Sequence, residues 1–253
     1  MNDVKKIGVE PDEWEPLKAY TNARIALGKT GISIPLKESL QFKMAHAHAK
    51  DAVYSHLDVA GLQADLESTG LPVHRLHSQA ENRDIYLQRP DLGRLLANDS
   101  VDKLRRLNSS PADISIIIAD GLSATAINNY TGPVVNRLVE KIQQAGYSLA
   151  PLLLVEQGRV AITDAVGGIL RPRLAIILIG ERPGLSAFDS MGAYITYEPQ
   201  PGLTDERRNC VSNIRDRGLP PVLAVDKLMY LINSAFRLQL TGVALKDNNG
   251  LLE

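Results

Sequence analysis

The chain has 253 residues, with 28 basic against 29 acidic side chains, so its net charge of −1 provides no global field to recruit nucleic acid or an anionic membrane. A single cysteine, Cys210, excludes an internal disulfide framework, and 5% aromatic residues argue against a stacking platform for single-stranded nucleic acid. The N-terminal stretch lacks the apolar core of a signal peptide, and no apolar run approaches the roughly 18 residues of a membrane span, so the sequence reads as a soluble, intracellular protein.

Residues 1 to about 30 read as an irregular arm punctuated by Pro11 and Pro16. Pro35 then opens a long amphipathic helix in which Leu36, Leu40, Met44, Ala47 and Leu57 recur near helical spacing. Gly61 breaks that run, and Gly70-Leu71-Pro72 ends a second, shorter helix. The boundary between a mostly helical region, 1–80, and an α/β region, 81–253, is therefore placed near residue 80. Ile85–Leu87 is a strand candidate. Arg89-Pro90-Asp91 opens a helix through Leu92, Leu95 and Leu96 that pauses at Asn98–Ser100 and resumes with Val101, Leu104 and Leu107.

The run Ile114–Ala119 is short, branched and apolar, as expected of a strand covered on both faces. Asp120-Gly121-Leu122-Ser123 turns it into a helix, and a further helix starts at Pro133 with Val135, Leu138 and Ile142 on one face and Gly146 as its C-terminal cap. Leu149–Val155 is the next strand, followed by the loop Gln157-Gly158-Arg159-Val160 and a short helix, ITDAVGGIL. Leu174–Ile179 is expected at the centre of the sheet, with Gly180-Glu181-Arg182-Pro183-Gly184 at its carboxyl end. Ala193–Tyr197 is expected as an antiparallel edge strand, and a helix runs from Val222 to about Leu240 along one apolar face. Strands alternating with helices predict a Rossmann-like, doubly wound, mostly parallel α/β sheet with a helical N-terminal region.

Ligands of open α/β sheets bind at the carboxyl ends of the strands, where the three glycine-containing loops would converge. Glycines there let backbone approach a ligand, and Asp120, Arg159, Glu181 and Arg182 supply donors and acceptors. The plainer alternative is that the glycines only make turns and the charges are solvated. Neither a G-x-G-x-x-G after a strand nor a G-x-x-x-x-G-K-[ST] is present, so the phosphate cradles of dinucleotide and P-loop proteins are missing. Gly121-Leu122-Ser123-Ala124-Thr125 lacks the closing glycine of a nucleophile elbow, which leaves Ser123 as a helix cap. His46 and His48 point to different helix faces and His56 lies two turns on, so these are surface or interface histidines; His74 and His77 likewise have no ligand cluster beside them, and no metal site is expected. Cys210 is by default structural. No complete catalytic set emerges, as expected of an active site that requires another chain.

Several motifs stand in order along the chain: Asn22-Ala23-Arg24-Ile25-Ala26-Leu27-Gly28, Ala45-His46-Ala47-His48-Ala49 with Asp51-Ala52-Val53, and Arg89-Pro90-Asp91-Leu92-Gly93-Arg94. Asp120-Gly121-Leu122-Ser123, Gly158-Arg159-Val160, Gly180-Glu181-Arg182-Pro183-Gly184-Leu185 and Cys210-Val211-Ser212-Asn213-Ile214 complete the set. Taken together and in this order, they resemble the small (light) chain of ethanolamine ammonia-lyase. The resemblance implies a subunit of an adenosylcobalamin-dependent lyase that converts ethanolamine to acetaldehyde and ammonia by a radical mechanism. A larger, barrel-shaped chain would carry the substrate-binding residues, so no catalytic residue is expected here. The small chain would hold part of the cobalamin at the interface through Val160, Glu181 and Cys210, with Asp120, Arg159 and Arg182 as further contacts.

The cobalt-ligating D-x-H-x-x-G motif is missing, so within the resemblance the cofactor should bind base-on, with its own dimethylbenzimidazole on cobalt. The helical region 1–80 is then available for docking the large chain. Cytoplasmic location follows, within a bacterial microcompartment for members with a long targeting extension; about 20 residues precede the first motif here, with no amphipathic helix. The competing class is a stand-alone α/β module that holds a cobalamin-like or nucleotide ligand without catalysis.

Overall fold

Every residue of Ile114–Ala119 and of Leu174–Gly180 is buried, and the two segments lie side by side in a six-stranded sheet. The structure is a computed structural model that describes residues 8–107 and 112–246. Residues 1–7 of the expected arm and 247–253 of the expected α/β region lie outside the described residues. In chain order the elements are α1 (Leu36–Tyr54), α2 (Val59–Glu67), β1 (Val73–His77), α3 (Arg83–Gln88), α4 (Asn98–Arg106), β2 (Ile114–Ala119) and α5 (Ala124–Gln144). There follow β3 (Leu152–Glu156), α6 (Ile162–Leu170), β4 (Leu174–Gly180), β5 (Met191–Tyr197), β6 (Arg208–Ile214) and α7 (Pro221–Leu238).

The strand order is β1-β3-β2-β4-β5-β6; the first four strands are parallel, and β5 and β6 return antiparallel. Parallel strands need helical crossovers, which cover both sheet faces and make the central strands apolar throughout. Ile114, Ile116 and Ile118 of β2 face a layer that includes residues of α2, α5 and α7, whereas Ile117 and Ala119 face residues of α4 and α6. The first strand lies at an edge, unlike that of a dinucleotide-binding Rossmann sheet, where it is central. The fold is thus a mixed α/β sheet with helices on both faces.

Several expectations are corrected. Val73–His77 is a strand preceding the expected boundary at residue 80, and it pairs with β3, so the first 80 residues contribute to the sheet. Ile85–Leu87 is helical, because Asn82 caps α3 by accepting from the Ile85 amide at 3.0 Å. Leu92–Arg94 forms only a 3-10 turn; Leu95 is extended, and α4 begins at Asn98, where a pause was expected. One helix, α5, runs through Pro133, since apolar positions on both sides of the proline, Ala126, Ile127 and Tyr130 before it and Val134, Val135 and Leu138 after it, enter the same core. β5 is antiparallel as expected, but β6 pairs beside it and takes the edge.

Two features bear on function. Ala52 is the only buried residue of α1, whose Leu36, Leu40, Phe42 and Met44 are exposed. Near the lower end of the sheet, the buried Arg208 of β6 donates to both carboxylate oxygens of the buried Asp164 of α6, each at 2.8 Å, and to Thr163 and Thr196. This network ties α6 to the edge strand β6.

Candidate functional site at the carboxyl rim of the sheet

The loops after β2, β3 and β4 meet at the carboxyl ends of their parallel strands. Gly121, at φ +57°, brings its backbone against the Gly180 carbonyl, which also accepts from the Leu122 amide at 2.9 Å; a Cβ at either glycine would collide with the facing backbone. The β3–α6 loop joins them through Asp120, whose Oδ1 accepts from the Gly158 amide at 3.2 Å. Ser123 caps α5, accepting from Ala126, and donates to the Phe188 carbonyl in the β4–β5 loop at 2.9 Å.

Asp120 is buried beneath this rim. Desolvation raises its carboxyl to about 6, against the partial compensation of the Arg83 guanidinium 3.7 Å away and of backbone amides. It therefore staples loops together and is not an open ligand group. Arg159 is also directed inward: its amide donates to the Gly93 carbonyl at 2.7 Å, its Nη2 donates to the Tyr86 carbonyl at 3.1 Å, and its guanidinium lies 4.2 Å from the Tyr86 ring centre. A Cβ on Gly93 would stand 2.8 Å from Arg159 Cγ, which explains a glycine beside this stack. Arg182, by contrast, is exposed in the β4–β5 loop.

Glu181 and Cys210 come together from different elements. Glu181 follows β4 and is half-buried, and its Oε2 accepts from Ser190 Oγ and from the Asn213 amide at 3.2 Å. Its Oε1 lies over Gly192, where a Cβ would be only 2.9 Å away. Cys210 is exposed on the edge strand β6, directly across the ladder from Tyr194 of β5. Protein packed around Sγ lifts the thiol above its ordinary range; Glu181 adds to the rise, and a hydrogen bond with the Tyr194 side chain opposes it. The Tyr194 hydroxyl is held neutral in turn, chiefly by desolvation and then by Cys210 and Glu181. Val160, half-buried at the entrance to α6, packs against the same apolar layer as Tyr194, which includes Ile177 and Ile179.

Glu181, Tyr194 and Cys210 thus form one group, a carboxylate, a phenol and a thiol, with Tyr194 and Cys210 level with Ile177 in mid-sheet, and Val160 packs against the same apolar layer as Tyr194. The arrangement offers apolar contact beside a hydrogen-bond acceptor and two weak donors. Sequence reasoning missed Tyr194, Gly192 and Arg83. Only Tyr194 left a signal there: in MGAYITY it falls on the face opposite Ala193 and Ile195. Among the described residues, no three His, Cys, Asp or Glu side chains are grouped to hold a metal, and His46, His48 and His56 are exposed on or just after α1. No described helix is long and apolar enough to cross a membrane.

Comparison with known proteins identifies the family. The model of the ethanolamine ammonia-lyase light chain matches residues 11–246. An ethanolamine ammonia-lyase small subunit of Pseudomonas fluorescens is 49% identical over 241 residues, 94% of this chain and 87% of that one. The small subunit of Xanthomonas campestris is 49% identical over 239 residues, 93% and 88% of the two chains, and that of Pseudomonas aeruginosa 49% over 237 residues, 92% and 87%. The chain belongs to the ethanolamine ammonia-lyase light-chain family.

Proposed function

We propose that this chain is the small subunit of an adenosylcobalamin-dependent ethanolamine ammonia-lyase, which with a large catalytic subunit converts ethanolamine to acetaldehyde and ammonia. The observation that carries the reading is Glu181 set beside Cys210 and Tyr194, with Val160 on the apolar layer that Tyr194 joins, in a chain of this family. The residues present fit one wall of a corrin site. Val160 supplies apolar contact, Glu181 is oriented by Ser190 and Asn213 with Oε1 left over the Gly192 cradle, and Cys210 lies where edge-strand backbone is accessible.

When bound, adenosylcobalamin supplies the radical chemistry, and the work of this chain is to hold and orient it against the large subunit. Base-on binding belongs to the same reading, supported by a sequence that lacks the D-x-H-x-x-G cobalt-ligating motif. Arg182, exposed beside Glu181, remains a further contact, whereas Asp120 and Arg159 act from beneath the surface.

Docking of the large subunit is assigned to the arm and α1, where Trp14, Tyr20, Leu36, Leu40 and Met44 are all exposed. The balanced charge fits a cytoplasmic protein whose encapsulation would depend on its assembly partners. The test is reconstitution with its own large chain, adenosylcobalamin and ethanolamine, with each component omitted in turn while acetaldehyde is assayed. Product only from the complete mixture supports the reading. A verified complex without product, or cobalamin held tightly by this chain alone, favours a binding module instead.

A further inference from the structure

Beneath the rim, one guanidinium gathers three segments that are far apart in sequence. Arg83, the first residue of α3, donates from Nε to the Val53 carbonyl in the last turn of α1 at 2.6 Å. Its Nη1 donates to the Gly121 carbonyl of the β2–α5 loop at 2.7 Å and to Gln157 Oε1 of the β3–α6 loop at 3.2 Å. The same group stands 3.7 Å from Asp120 and 4.8 Å from the Tyr86 ring centre, and its side chain is only 12% exposed. Tyr86 continues the frame: its hydroxyl donates to the Gly158 carbonyl at 3.1 Å, and Arg159 closes over its ring. Gln157 is held at φ +55°, a left-handed conformation that a non-glycine residue keeps only when its surroundings over-determine it. Arg83 Nη2 and Arg159 Nε are left buried without a partner, a polar cost set against the contacts that fix both arginines.

We propose that Arg83 is a positioning residue for the cofactor wall: by joining α1, the β2–α5 loop and Gln157, it fixes the β3–α6 loop and hence the place of Val160. This inference rests on the assignment of Val160 to the cobalamin site. Arginine suits the task because its rigid fork donates in several directions at once, whereas the ammonium of lysine is a compact point charge. The link from Arg83 to Val160 is thus one of shape and not of chemistry, since the guanidinium is buried under the loops and its bonds go to protein groups.

The experiment uses the complex of both chains, titrated with cyanocobalamin by its absorbance change and assayed with adenosylcobalamin. Arg83→Gln should weaken cyanocobalamin binding and raise KM for adenosylcobalamin by about tenfold, the equivalent of about 1.4 kcal/mol, with kcat at saturation within about twofold of the wild type. Arg83→Lys should recover part of the affinity. Tyr86→Phe, which keeps the ring and deletes only the bond to Gly158, should weaken binding in the same sense by about threefold and decides the matter if Arg83→Gln fails to assemble. Wild-type affinity in Arg83→Gln or, in its default, in Tyr86→Phe overturns the inference, as does a loss of kcat equal to the loss of affinity. If the wild-type complex itself binds no cobalamin, the reading of the site falls with it, an outcome distinct from unchanged variants of a competent complex.

Discussion

Replacing Asp120 by asparagine isolates the electrostatic cost of the staple under the rim. Burial raises the Asp120 carboxyl to about 6 against an ordinary 3.8, a gap of about two pH units, worth about 3 kcal/mol at about 1.36 kcal/mol per unit. Because the folded-state value is raised, the folded chain binds the proton more tightly than the unfolded chain. The contribution to stability is therefore fully present below about pH 4, is lost as pH rises through about 6, and stays lost above about 7. Asparagine cannot ionise and keeps an oxygen for the Gly158 amide. Denaturant unfolding of the full chain from pH 4 to 8, wild type against Asp120→Asn, separates this group from carboxylates such as Asp113, whose lowered value makes it act in the opposite direction. The variant should gain on the wild type with rising pH, by up to about 3 kcal/mol near pH 8. Parallel curves, or a gap that closes with rising pH, would refute the argument.

Three further outcomes are expected. Gly192→Ala places a Cβ 2.9 Å from Glu181 Oε1 and must swing that carboxylate aside; cobalamin affinity of the complex should fall by about tenfold, while unfolding of the isolated chain shifts by less than about 1 kcal/mol. Asp164→Ala removes the two-oxygen partner of the Arg208 guanidinium, whose side chain is 1% exposed, and leaves it Asp205, Thr163 and Thr196, so the loss in denaturant titration should be about 3 kcal/mol; a loss under about 1 kcal/mol would mean that the pair is not what seats α6. The double change Leu40→Glu and Met44→Glu alters residues 55% and 59% exposed, so the chain should keep its stability within about 0.5 kcal/mol yet fail to co-elute with the large subunit in size-exclusion chromatography. Retained co-elution would place the docking surface elsewhere.

What the sequence disclosed tracks the number of faces a segment buries. β2 and β4 are covered on both sides, so ISIIIA and LAIILIG announce themselves as uninterrupted apolar runs. β1 and β6 are edges: VHRLH has one buried residue, and RNCVSNI buries Arg208, Val211 and Ile214 among polar neighbours, so neither carries the run that marks a central strand. Pro133 misled for a different reason. Local chemistry favours a helix start there, and only the tertiary packing of Tyr130 and Val134 on one core carries α5 through it. At the rim, the convergence of the three loops followed from strand order and glycine placement alone. The inward turn of Asp120 and Arg159 did not, because it depends on Arg83 and Tyr86, which come from a helix that read as a strand. The expectation that Ser123 caps a helix agrees with the geometry, since an N-cap depends only on residues nearby.

The pairing of β1 with β3 also sets an order of events during synthesis. Val73 meets Leu152 and His77 meets Glu156, so the first strand has no place in the sheet until the chain has been made well past the middle. Contacts of such long range are paid for by loop closure before they return any stabilisation, and they slow folding. Meanwhile α1, complete long before β3 exists, presents Leu36, Leu40 and Met44 to whatever lies beside the ribosome. Co-synthesis with a partner able to cover that helix, and not the isolated expression of this chain, is accordingly the condition under which its yield of folded protein should be highest.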